Sequence, residues 1–118
     1  MSRHRKSKRL LKLEEQFKAG VIAYLASLGA RAGRFYDHEL DTPAGLLHVS
    51  VYGDWIACRF DDVALGRRFT DDHGPACNPY SGKWNFSYEF SNEFGPDQAL
   101  ADFRRNLERL MSWQAAAA

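Results

Sequence analysis

The stretch Asn78-Pro79-Tyr80-Ser81-Gly82-Lys83-Trp84-Asn85-Phe86-Ser87-Tyr88-Glu89-Phe90 is a turn that runs directly into a strongly patterned strand. Pro79 fixes φ at the second position of a tight turn, Asn78 hydrogen-bonds forward to the backbone, and Gly82 takes the positive φ that closes such a loop. From Trp84 the residues alternate, with Trp84, Phe86, Tyr88 and Phe90 on one side and Asn85, Ser87 and Glu89 on the other. A strand of this kind has one dry face and one wet face. The aromatic row needs a cover, and the remainder of the chain supplies it.

Upstream, Leu10, Leu13, Phe17, Val21, Tyr24 and Leu28 recur at spacings of three and four, which predicts an amphipathic helix from Leu10 to Leu28 closed by a left-handed cap at Gly29. Its first turn is basic, the wrong sign for the helix macrodipole, so residues 1–9 are expected to form a flexible arm. Arg34–Leu40 reads as a first strand and Asp41-Thr42-Pro43-Ala44-Gly45 as a turn. Leu46–Tyr52 follows with Leu47, Val49 and Val51 on one face and His48 and Ser50 on the other. After the Gly53-Asp54 turn, Trp55–Phe60 places Ile56, Cys58 and Phe60 together. Short turns between the three strands predict an antiparallel meander. Asp61 or Asp62 is placed to cap a short helix through Val63–Leu65 that Gly66 ends early, and Thr70–Pro79 reads as a long loop. Pro96 at a first helical position and Asp97 in the first turn open a final helix with Leu100, Phe103, Leu107, Leu110 and Met111 as its apolar stripe.

These elements assemble into an α+β fold of two layers, a four-stranded antiparallel sheet with an N-terminal and a C-terminal helix packed on one face. The 118 residues are expected to form a single domain, with residues 114–118 a frayed tail. No apolar run approaches the roughly 18 to 20 residues of a membrane span. The charged start has no signal-type apolar segment behind it, and Cys58 and Cys77 make no disulfide framework, so a cytoplasmic location with reduced thiols is expected.

The net charge of +1 conceals an asymmetry: Arg3, Arg5, Lys6, Lys8, Arg9 and Lys12 are six of the sixteen basic residues and no acid stands among them, so the other ten face all fifteen acids, a balance of −5. Cations spaced along a flexible arm neutralise phosphates and release counterions, which makes these six the candidate nucleic-acid contacts. The aromatic row of the opening stretch is assigned to the core rather than to base stacking, because two helices must rest on it and no RNA-recognition motif accompanies it. Tyr80, Ser81, Lys83 and Asn85 remain as a candidate surface site.

Other chemistry finds little footing. His73, Cys77 and Cys58 lack the paired short spacings of a structural zinc site, so no metal site and no cofactor are assigned. Asp71, Asp72 and His73 are neighbours in sequence without a nucleophile motif, and Ser81-Gly82-Lys83 departs from a phosphate loop because Cys77 stands where the first Gly belongs and a strand follows the lysine. A non-enzymatic protein is expected.

The segment Asn78-Pro79-Tyr80-Ser81-Gly82-Lys83-Trp84-Asn85, with Trp55–Asp62 upstream, resembles small proteins carried on bacterial plasmids and other mobile elements, a group with no activity attached to it. The resemblance covers about a quarter of the chain and implies a bacterial or phage setting. The expected function is a small binding protein of such an element that touches nucleic acid through its basic arm. The alternative is an inhibitor of a host protein, of the anti-CRISPR or another anti-defence type, and self-association as a homodimer through an uncovered face is a further expectation.

Overall fold

The computed structural model describes residues 7–34, 37–73 and 82–114. Among these the elements run α1 (Lys8–Ser27), β1 (Arg31–Ala32), β2 (His38–Thr42), β3 (Gly45–Tyr52), β4 (Trp55–Phe60), α2 (Val63–His73), β5 (Phe86–Ser87) and α3 (Pro96–Met111). The strands form one antiparallel sheet in sequence order, β1-β2-β3-β4-β5. The α+β class holds, with five strands and three helices rather than four and two.

The additional strand arises where Arg34–Leu40 was expected to be continuous. The Gly33 N–H donates to the Asp37 carbonyl at 2.8 Å, folding the chain back so that Arg31 and Ala32 pair with Glu39 and His38. β2 then runs on to Thr42, whose hydroxyl donates to the Gly45 carbonyl at 2.7 Å and accepts the Ala44 N–H at 3.0 Å. That side chain satisfies the turn's polar groups and shortens the turn to two central residues.

β3 and β4 follow their alternation: Leu47, Val49, Ile56, Cys58 and Phe60 are buried. The aromatic strand is regular only at Phe86–Ser87, yet one register with β4 runs along it. The Phe60 N–H donates to the Gly82 carbonyl, Lys83 lies opposite Arg59, the Trp84 N–H donates to the Cys58 carbonyl, and the Tyr88 N–H donates to the Asp54 carbonyl. The interruption sits at Asn85, whose Oδ1 accepts the Cys58 N–H at 3.2 Å. A side-chain oxygen thus takes a donor that a regular ladder gives to a backbone carbonyl.

The side of the sheet carrying Trp84 is the covered one. α1 contributes Phe17, Val21 and Leu25, and α3 contributes Ala99, Phe103, Leu107 and Leu110, to the same buried cluster as Leu40, Leu47, Val49 and Ile56. Gly20 lets α1 and α3 approach, since a Cβ there would stand 3.0 Å from Leu100 Cδ2. An aromatic chain ties the layers: Phe60 stacks on Trp84 at 5.6 Å, and Phe69 meets Trp84 edge-on at 5.3 Å and Trp113 at 5.6 Å. Tyr88 reaches through this layer to donate its hydroxyl to Asp102 Oδ2 at 2.8 Å. Burial, this hydrogen bond and the Asp102 charge together raise the Tyr88 pKa.

Two helix boundaries correct the expectations. α1 begins at Lys8, so Lys8 and Arg9 belong to the helix and not to a flexible arm; Ser7 caps it by accepting the Leu10 N–H at 3.0 Å, which offsets the unfavourable basic first turn. Its far end closes as expected, with Gly29 at φ 88° and the Ala30 N–H donating to the Leu25 carbonyl at 3.0 Å. α2 does not stop at Gly66. Asp62 caps it by accepting the Leu65 N–H at 3.0 Å, and the helix continues to His73, absorbing the start of the expected loop. Gly66 is a packing residue: a Cβ there would overlap the Phe60 ring, 2.3 Å from Cγ.

Candidate functional site

All three helices draw their buried residues to one face of the sheet, leaving the other face bare. Strand alternation decides what that face displays: Arg31 on β1, Glu39 and Asp41 on β2, His48, Ser50 and Tyr52 on β3, and Trp55, Ala57 and Arg59 on β4. Lys83, Asn85 and Ser87 continue it along the aromatic strand.

The face divides into two halves. On the β2–β3 side, Arg34, Asp37, Glu39, His48, Arg59 and Asp61 surround a depression of about 330 Å³. His48 Nδ1 lies 2.9 Å from Asp37 Oδ2 and its Nε2 3.4 Å from Asp61 Oδ1. Arg31 bridges to Asp41 at 2.9 Å and to Glu39 at 3.6 Å, and its hydrogen bond to Asp41 raises its pKa further. Ligand atoms of Asp37, Glu39 and His48 lie within 4.8 Å of one another, the donor set of a hard divalent cation. Arg31 and Arg59 bring competing positive charge to these acids, and the His48–Asp37 bond already occupies one ring nitrogen.

On the β4–β5 side, Ser50, Trp55, Ala57, Arg59, Lys83 and Asn85 line a second depression of about 240 Å³. At its end Tyr52 and Trp55 stack on each other across the β3–β4 turn, with ring centroids 4.7 Å apart and planes 23° from parallel. These rings are 50% and 38% exposed, against 4% for Trp84 and 5% for Trp113. Arg59 and Lys83 face each other across the strands. Like charges directly opposite in a sheet destabilise it by a fraction of a kcal/mol, a cost that a bound anion removes.

The sequence-predicted residues are distributed accordingly. Lys83 and Asn85 come together on the bare face. Asn85 is also structural, through its bond to the Cys58 N–H. Tyr80 and Ser81 lie outside the described residues, as do Arg3, Arg5 and Lys6. Lys8, Arg9 and Lys12 are exposed on the first turns of α1, and none of them has an ion-pair partner among the described residues. Of the Asp71-Asp72-His73 group, Asp72 accepts the Trp113 indole N–H at 2.8 Å and Asp71 faces Arg67 at 4.0 Å. Cys77 lies outside the described residues. Cys58 sits on the covered face, where burial drives its thiol pKa far up.

Sequence reasoning passed over Tyr52, Trp55, Arg59 and the Asp37–His48 pair. The signal for the first three was present, because placing Ile56, Cys58 and Phe60 on the core face puts Trp55, Ala57 and Arg59 on the other. Asp37 and His48 meet only through the hairpin. No helix among the described residues is long and apolar enough to cross a membrane. No protein-family model matches the chain, and neither a curated protein nor a solved structure does.

Proposed function

We propose that the chain is a non-enzymatic binding protein of a bacterial mobile element that contacts nucleic acid through the basic start of α1 and the residues before it. The observation that carries this reading is the set of three exposed cations, Lys8, Arg9 and Lys12, that have no ion-pair partner among the described residues. At 100° per residue Lys8 and Lys12 share one sector of α1, away from the Leu10, Leu13 and Phe17 stripe, and Arg9 stands between that sector and Leu13. Lys8 and Lys12 repel each other at i, i+4 by a few tenths of a kcal/mol, and phosphate contact turns that penalty into a gain. Arg3, Arg5 and Lys6 extend the run in sequence, whereas the body beyond residue 12 carries a balance of −5.

Binding to generic DNA measured across a salt series tests the reading. The expected result is affinity at low salt that falls steeply, with the slope of log K against log salt reduced by about one for each cation removed in Lys8→Glu, Arg9→Glu and Lys12→Glu. No binding at 50 mM salt, or binding unchanged in the triple variant, overturns it. The second reading, an inhibitor of a host protein of the anti-defence type, is favoured by the acidic body, which suits a cationic protein surface. It predicts one stoichiometric protein partner and no general affinity for nucleic acid.

A further inference from the structure

We propose that the β4–β5 half of the bare sheet face binds single-stranded nucleic acid, with bases stacking on the Tyr52–Trp55 pair and phosphates held by Arg59 and Lys83. This proposal rests on the nucleic-acid reading above and specifies the form of the ligand.

Two large rings at a strand turn, half and more than a third exposed, contribute little to the core while leaving π-surface in water. Base–aromatic stacking is available to any base once it is unstacked, and base faces are hidden in a duplex, so such a platform selects single strands. Trp55, Ala57 and Arg59 stand at i, i+2 and i+4 on one face of β4, so the backbone positions that carry the ring and the guanidinium lie about 13 Å apart. Ala57 between them keeps the floor low. Lys83 faces Arg59 across the strands; among the described residues Lys83 has no ion-pair partner and Arg59 has a single ion pair, a 3.9 Å contact with Asp61.

Base edges find hydrogen-bonding groups on the same half of the face. Asn85 uses Oδ1 for the Cys58 N–H, which fixes the orientation of the amide and leaves its NH₂ with two donors toward the depression. Ser50 offers a hydroxyl beside it. Asp37, Glu39, Asp41 and Asp61 lie on the opposite half of the face and repel phosphates from it, which confines a strand to the β4–β5 side. The aromatic end of that side is also where α1 starts: the Tyr88 N–H donates to the Asp54 carbonyl, Phe17 packs edge-on against Tyr88 and Phe90, and Ser7 and Arg9 line a depression with Phe90 and Ser91. Of the α1 cations, Arg9 stands at that end of the sheet, on its helix side.

Tryptophan emission reads this directly, because Trp55 is exposed while Trp84 and Trp113 are buried at 4% and 5%. The full chain is titrated at low salt with an oligothymidylate of about 15 nucleotides, an oligouridylate of the same length and a duplex of the same length. The expected result is quenched emission and tighter binding with one or both single strands, and about tenfold or greater weakening in Trp55→Ala. Lys83→Glu is expected to weaken single-strand binding several-fold and supplies a check that does not disturb the rings. Single-strand affinity unchanged in both variants, or binding without quenching, overturns the proposal. If duplex and single strands bind equally and respond only to Lys8→Glu, Arg9→Glu and Lys12→Glu, the nucleic-acid reading stands and this one falls; if nothing binds, both fall.

Discussion

The two faces of one sheet are made from the same strands, one residue out of step, and they are put to opposite uses. On the covered face Leu47, Val49, Ile56 and Phe60 have no solvent exposure at all. On the bare face the intervening residues His48, Ser50, Ala57 and Arg59 are charged, polar or small. The covered face is largely consumed by folding, since its buried side chains share one core with those of the helices. The bare face is left with groups whose removal the fold tolerates, and recognition has room only there and at the start of α1.

Substitutions sharpen that contrast. Trp84→Ala removes the ring on which Phe60, Phe69 and Phe86 converge, and chemical denaturation is expected to show a loss of about 3 to 5 kcal/mol; a parent-like unfolding midpoint would mean that the ring is not part of the core. Gly66→Ala drives a methyl group into the Phe60 ring and is expected to cost about 1 to 3 kcal/mol despite the higher helix propensity of alanine, so a stabilised variant would show that α2 stands off the sheet. Asn85→Ala sits on the bare face yet leaves the part-buried Cys58 N–H without its acceptor; about 1 to 2 kcal/mol is expected, with faster amide exchange at Cys58 as the local readout. Trp55→Ala and Lys83→Ala belong wholly to the bare face. Each is expected to change stability by no more than about 0.5 kcal/mol, and a larger loss by calorimetry would place them among the structural residues.

Legibility in the sequence followed the same division. The alternation in β3 and β4, the Gly29 cap and the Pro96 start of α3 are local signals, and each element stands where those signals put it. Gly66 was misread because its role depends on Phe60, a partner from the preceding strand; taken alone, a glycine near the start of a helix reads as a stop. The first strand was misjudged because Gly33 and Asp37 close a turn through a backbone bond that no residue pattern announces. The aromatic strand kept its face assignment, while Asn85, expected to be free on the wet side, is bound to a residue 27 positions away. Of the candidate site, Lys83 and the first turns of α1 were legible as exposed charge. The Tyr52–Trp55 stack needed the hairpin pairing before its two members could be seen together.

Cys58 carries a consequence of a kinetic kind. Its thiol lies at 2% exposure on a central strand, under the helix layer, with burial suppressing the thiolate that alkylating reagents require. In a Cys77→Ser background, reagent reaches it only when the helices lift from the sheet, so the labelling rate at Cys58 becomes a clock for that opening. A ligand seated on the bare face lies on the opposite side of the sheet from the helices that cover the sulfur. Slower labelling in its presence therefore measures how strongly occupation of one side of the sheet holds the other side shut.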